Sequence, residues 1–193
     1  RSFTLVSDTH YVAQNAARVT RGLFEICLKR GWPGLSETFL TLSKAIDKRT
    51  WWEPICHPLR QFEKLPMELV RKLEERDVPM SKLYDFSAQQ LGQLVRYKRM
   101  GDKLLDYIRQ FPALDIQVKL LPITRTILKV ELEIYPDFIW SDRNHGNIQP
   151  WYIWMEDSEN DRIYHSEYLM ITKKQYLSEE PIQMVFTVPI FEP

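Results

Sequence analysis

Two hydrophobic periods divide the chain. Up to Pro112 apolar residues recur in steps of three and four, and from Asp115 onward they alternate with polar ones. In the first segment Val12, Ala16, Val19, Leu23 and Ile26 or Cys27 follow the helical step. Ser7 or Asp8 is placed to cap this helix, and Gly31 followed by Pro33 to stop it. Ser36 precedes a second helical run with Phe39, Leu42, Ala45 and Ile46 as its apolar members. After the aromatic, proline-containing turn WWEPICHPLRQF, Pro66 suits the first position of a third helix, MELVRKLEERD. Ser81 and Ser87 precede two shorter helices, and MGDKLLDYIRQFP closes the helical part with a bend at Gly101 and a stop at Pro112.

Beyond that point Ile116, Val118 and Leu120 alternate with Gln117 and Lys119, and Leu128, Val130, Leu132 and Ile134 alternate with Lys129, Glu131 and Glu133. WYIWM, RIYHSEYLMI and IQMVFTVPIF continue the series, with the turn former DSEND joining the first two into a hairpin. The expected class is α+β: helices first, then a five-stranded antiparallel sandwich, with a boundary near residues 112–115.

Composition narrows the function. The 193 residues are 44% hydrophobic and 12% aromatic, enough for a packed core. Twenty-six basic residues balance twenty-six acidic ones, so any nucleic-acid contact must be local. Cys27 and Cys56 form no CxxC pair and read as reduced thiols, and no apolar run approaches a membrane span or signal peptide, so a nuclear and cytoplasmic location is expected. The first residue is not Met and the last follow an apolar strand, which reads as a piece of a longer protein. With neither GxxxxGK nor GxGxxG among six glycines, no ATP cradle is expected, and no catalytic residue is assigned. His10, His57, His145 and His165 are scattered without metal-ligand spacing, so no metal is expected. SDRNHGN reads as a turn, and Asp102 with Asp106 as a solvated helical pair.

Two candidates for nucleic-acid contact remain. Gln14, Arg18, Arg21 and Glu25 form one stripe of the first helix, flanked by Asn15. Such a stripe is either a solvated face with a weak Arg21–Glu25 pair or a row of amides and guanidiniums stepping along a single strand. The weaker candidate is the segment from Leu83 to Pro112, whose two short helices around VRYKRMG resemble a helix-hairpin-helix, with Lys98, Arg99 and Lys103 as its basic residues. The second glycine of that hairpin is missing, and Asp102 stands where a phosphate would come.

The runs SFTLVSDTHYVAQNAARVTRGLFEICLKRGW, HPLRQFEKLP, LPITRTILKVELEIYPDFIW, PWYIWMEDSENDRIYHSEY and FTVPIFEP together resemble the Sec-63 homology unit of the two-cassette Ski-two-like helicases over essentially the whole chain. The wording is nearer to the cointegrator-complex branch, first cassette, than to the spliceosomal snRNP branch. The resemblance implies a helical bundle over residues 1–65 with a ratchet helix, a helix-hairpin-helix-like domain over 66–113, and a truncated immunoglobulin- or fibronectin-like β-sandwich over 114–193. It implies that the first helix lies under a single strand, through Gln14, Asn15, Arg18 and Arg21. It further implies ATP and magnesium in preceding motor domains, none in this piece, with a winged-helix domain and subunits of a cointegrator-type complex as partners. The parent activity implied is 3′-to-5′ unwinding, in alkylation-damage repair of DNA and the splitting of stalled ribosomes. The rival reading is a protein-interaction scaffold of a spliceosomal RNA helicase without strand contact. Because the family sandwich continues past this sequence, the apolar faces of Leu128–Ile134 or Val185–Ile190 are expected to be uncovered.

Overall fold

The computed structural model describes residues 3–189 and is helical in its first part and antiparallel β in its second, an α+β arrangement. The helices are α1 (Phe3–Arg30), α2 (Pro33–Lys48), α3 (Met67–Glu74), α4 (Met80–Leu83), α5 (Ala88–Leu94) and α6 (Gly101–Arg109), with 3-10 turns at Pro58–Gln61 and Lys98–Met100. Strands β1 (Leu114–Thr124), β2 (Ile127–Pro136), β3 (Ile148–Asp157), β4 (Arg162–Thr172) and β5 (Ile182–Pro189) follow, with short helices α7 (Asp142–His145) and α8 (Lys173–Ser178) between them. Two compact units result: residues 1–30 with 34–109, and residues 31–33 with 110–193. Among the described residues no helix is long and apolar enough to cross a membrane.

Several caps differ from expectation. α1 already runs at Phe3, so Ser7 and Asp8 lie inside it, and Pro33 opens α2 instead of merely ending α1. Proline at the first helical position loses no hydrogen bond, because that N–H has no intrahelical partner. Ser36 is consequently buried within α2. Pro79, not Ser81, precedes α4, whereas Ser87 caps α5 through a full capping box with Gln90.

In the helical unit Leu59, Leu69, Val70, Leu73, Leu83, Leu91, Val95, Leu104 and Ile108 are buried. The turn after α2 is pinned to α3 by charge: Arg60 donates Nε–H and Nη2–H to the two oxygens of Glu74, each at 2.6 Å, and Glu74 also accepts the His57 N–H at 2.8 Å. His57 in turn accepts the Leu59 N–H on Nδ1 at 3.2 Å, which starts the first 3-10 turn. Helices α5 and α6 approach closely because Gly101 opens α6 against α5, where a Cβ would overlap the carbonyl oxygen of Ala88.

The second unit holds a three-stranded sheet ordered β1-β2-β5 and a two-stranded sheet β3-β4, all antiparallel. Its core is Val130, Leu132, Ile134, Met184 and Val188, against which Ile153 and Met155 of β3 and Tyr164 and Leu169 of β4 pack. The expected uncovered face over Leu128–Ile134 is therefore corrected, since alternation turns Val130, Leu132 and Ile134 inward under the second sheet. The open row lies on β1. Ile116, Val118 and Leu120 pair in register with those core residues yet stay 40%, 58% and 52% exposed. Val185 is exposed, Val188 is buried, and Ile190 lies outside the described residues.

Candidate nucleic-acid interface

Nothing breaks α1 over its 28 residues: it has no proline, and its one glycine, Gly22, has open space around it. At about 1.5 Å per residue it spans roughly 42 Å. Lys29 and Arg30 occupy the last turn, where the helix dipole favours positive charge. The buried face differs from the periodic set read in the sequence. Phe24, Cys27 and Leu28 are buried, and Ala13, Ala16, Ala17 and Thr20 are half-buried, whereas Val12, Val19, Leu23 and Ile26 are 62%, 63%, 39% and 54% exposed. With about 100° between successive residues, three stripes result: the buried one, the exposed apolar one and the polar one, roughly 110° apart. Steps of three and four fit both apolar stripes, and small residues on the true inner face lowered its hydrophobic signal.

The polar stripe is where the spacing put it. Gln14, Arg18 and Arg21 are exposed, and Arg21 Nε approaches Glu25 at 3.8 Å with both side chains about half exposed, a contact worth little in water. Asn15 is half-buried and donates its amide to the Tyr11 carbonyl at 2.9 Å, so it braces the helix at the stripe's edge. Two residues missed in the sequence extend this stripe. His10 lies one turn before Gln14, and its Nδ1 accepts the Arg49 guanidinium at 2.6 Å; Tyr11 beside it is 69% exposed. The signal was present, because His10 precedes Gln14 and Arg18 by four and eight residues, but placing the helix start at Ser7 hid it at the frayed end.

Lys98, Arg99 and Lys103 are exposed around the α5–α6 hairpin, separate in sequence and hydrogen bonding from α1. Lys98 lines a shallow depression with Ala88, Gln89, Gln93 and Asp102, so a carboxylate does share the basic site. Among the described residues no group of histidine, cysteine and carboxylate side chains is arranged to hold a metal. SDRNHGN is a structural knot. His145 is buried, accepts the Ser141 N–H on Nδ1 at 2.8 Å and donates from Nε2 to the Gln110 carbonyl at 2.8 Å, so both ring nitrogens are committed. Phe138 and Trp140 pack on the same ring.

Gln14, Arg18 and Arg21 thus present amide and guanidinium donors along one exposed stripe of α1. The sequence of the whole chain, residues 1–193, matches the Sec63 Brl domain. It is similar to activating signal cointegrator 1 complex subunit 3 of Gallus gallus, 48% identical over all of this chain and 9% of that protein. The Homo sapiens counterpart is 47% identical over the same shares. DExH-box ATP-dependent RNA helicase DExH14 of Arabidopsis thaliana is 46% identical over all of this chain and 9% of its own length. The chain thus spans about a tenth of each of these relatives, and across that span it belongs to the Sec63 Brl domain family.

Proposed function

We propose that this chain is a non-catalytic accessory unit of a larger ATP-dependent 3′-to-5′ nucleic-acid helicase, and that α1 guides single-stranded nucleic acid past the motor. The observation that carries this reading is the exposed Gln14, Arg18 and Arg21 stripe on a 28-residue helix whose buried contacts lie on another face. Side chains one turn apart on a straight rod meet successive phosphates or bases, and guanidinium supplies charge-assisted hydrogen bonds. ATP and magnesium would act in motor domains outside this sequence. The family resemblance supports three subdomains: a bundle (1–65), a helix-hairpin-helix-like domain (66–113) and an immunoglobulin-like sandwich (114–193) that docks subunits of a cointegrator-type complex. From the resemblance to the cointegrator-complex branch we further propose nuclear and cytoplasmic work in alkylation repair and stalled-ribosome disassembly.

The test is Arg18→Glu with Arg21→Glu in the full-length helicase. Both side chains are exposed, so the fold should change by no more than about half a kcal/mol each. Strand engagement should fall about five- to a hundredfold, with ATP binding intact and hydrolysis poorly coupled to unwinding. Parental unwinding and unchanged single-strand affinity would leave the second reading, a protein-interaction scaffold. That reading is favoured by the exposed stripe Val12, Val19, Leu23 and Ile26.

A further inference from the structure

The turn after α2 carries a feature that the α1 stripe does not include. Arg49 ends α2 in the left-handed conformation at φ 52°, and the chain closes behind it as Thr50 N–H bonds the Ala45 carbonyl at 3.1 Å. This cap directs the Arg49 side chain to His10 on α1, at 2.6 Å. Accepting on Nδ1 occupies one guanidinium N–H and orients the planar fork, leaving further donors on the same group. Trp51 and Trp52 follow after Thr50, 56% and 41% exposed, with ring centroids 5.5 Å apart at 76°.

Exposed tryptophans are expensive unless something covers them, because each carries on the order of 150–250 Å² of mostly apolar surface. The turn that carries them is itself tied down. The Trp52 carbonyl accepts the N–H groups of Ile55 and Cys56 at 3.0 and 3.2 Å, and the Glu53 carboxylate accepts the Met80 N–H at 2.9 Å, anchoring the turn to α4. Of the carboxylates that flank the pair in sequence, Glu53 is engaged by that N–H and Asp47 lies 3.3 Å from Lys48 Nζ. A guanidinium two residues before a pair of exposed indoles is the chemistry of sequence-tolerant single-strand binding, in which aromatic faces stack on bases and guanidinium meets phosphate.

We infer that Trp51 and Trp52 form a base-stacking platform for unpaired nucleotides at the His10 end of the α1 stripe, with Arg49, positioned by His10, on the adjoining phosphate. The inference rests on the strand-guiding function proposed for α1 and extends its site onto a second element. An aromatic–apolar patch of this kind is also compatible with a protein ligand, but the Arg49–His10 link to the polar stripe favours nucleic acid.

The experiment uses the full-length helicase and an oligonucleotide carrying 5-iodouracil, irradiated and mapped by mass spectrometry, beside single-strand affinities of variants. Cross-links at Trp51 or Trp52 in the unaltered protein are expected, and need no variant to fold. Trp51→Ala with Trp52→Ala should weaken single-strand binding at least about fivefold, the loss of one stacked base, with recovery in the Trp51→Phe, Trp52→Phe pair. If Arg18→Gln with Arg21→Gln weakens binding while the alanine pair does not and no cross-link maps to the turn, the platform is refuted and the α1 reading stands. If neither pair weakens binding, both fail. If the alanine pair leaves strand affinity intact and instead releases a protein subunit of the purified complex, the patch is a protein-docking surface and the platform is likewise refuted.

Discussion

The buried ring of His57 couples the helical unit to pH. Burial pushes its pKa below the ordinary 6.5, outweighing the nearby carboxylates of Glu53 and Glu74 and the Val78 carbonyl, which favour the proton without completing a hydrogen bond to Nε2. A histidine kept neutral in the fold contributes stability that is whole above its unfolded pKa and is lost as pH falls from there through the folded value. Glu74 acts lower on the scale. The hydrogen bonds from Arg60, first of all, hold its carboxyl below the ordinary 4.5, and its contribution is present above that value and lost as pH falls through the folded one. Melting temperature should therefore drop between pH 7 and 5, and again below 4.5. His57→Asn keeps an acceptor for Leu59 N–H but cannot titrate, so its melting temperature should change less between pH 7 and 5. A parallel decline in both proteins would show that His57 is not the titrating group. The Asp157 carboxylate, held near a pKa of about 2 by Asn160 and then Tyr164, stays ionised throughout this range and keeps the β3–β4 turn closed.

At the scale of elements, two glycines in helices should respond oppositely to the same change. Gly22→Ala adds a methyl group to open space on α1 and should stabilise by up to about 1 kcal/mol, since alanine is the better helix former. Gly101→Ala drives a methyl group into the Ala88 carbonyl of α5 and should cost roughly 1–3 kcal/mol or more. Denaturant unfolding of the two variants checks the contrast, and equal midpoints would contradict the close α5–α6 approach. The open row of β1 makes a further expectation. Val118→Thr with Leu120→Thr leaves β-branched strand formers at both positions of one exposed edge, so stability should hold within about half a kcal/mol per site, while self-association in sedimentation should decrease. Unchanged association would place the sticky surface elsewhere. Much of this layer was legible in the sequence: alternation marked all five strands, and Ser87 with Gln90 marked the start of α5. The inner face of α1 was not, because Ala13, Ala16, Ala17 and Thr20 are small and weakly apolar while the larger Val12, Val19 and Leu23 point to solvent. Likewise β1 alternates like a buried strand although its apolar row is exposed; alternation reports which residues share a face, not whether that face is covered.

For the whole molecule, the polar stripe could be read from four residues, whereas its continuation through His10 to Arg49 needed a hydrogen bond across 39 positions, which spacing does not encode. Family membership sets the chain beside relatives about ten times its length, and the proposed function stands on α1 touching single-stranded nucleic acid. Salt dependence of single-strand affinity tests this on the full-length protein, unaltered and with Arg18→Gln and Arg21→Gln. Each phosphate neutralised by an arginine adds about 0.7 to the log–log slope for a single strand, so the double variant should bind more weakly at low salt with a slope shallower by about 1.4. Identical slopes and identical affinities in the two proteins would contradict strand binding by α1 and leave it as a solvated helix of the bundle.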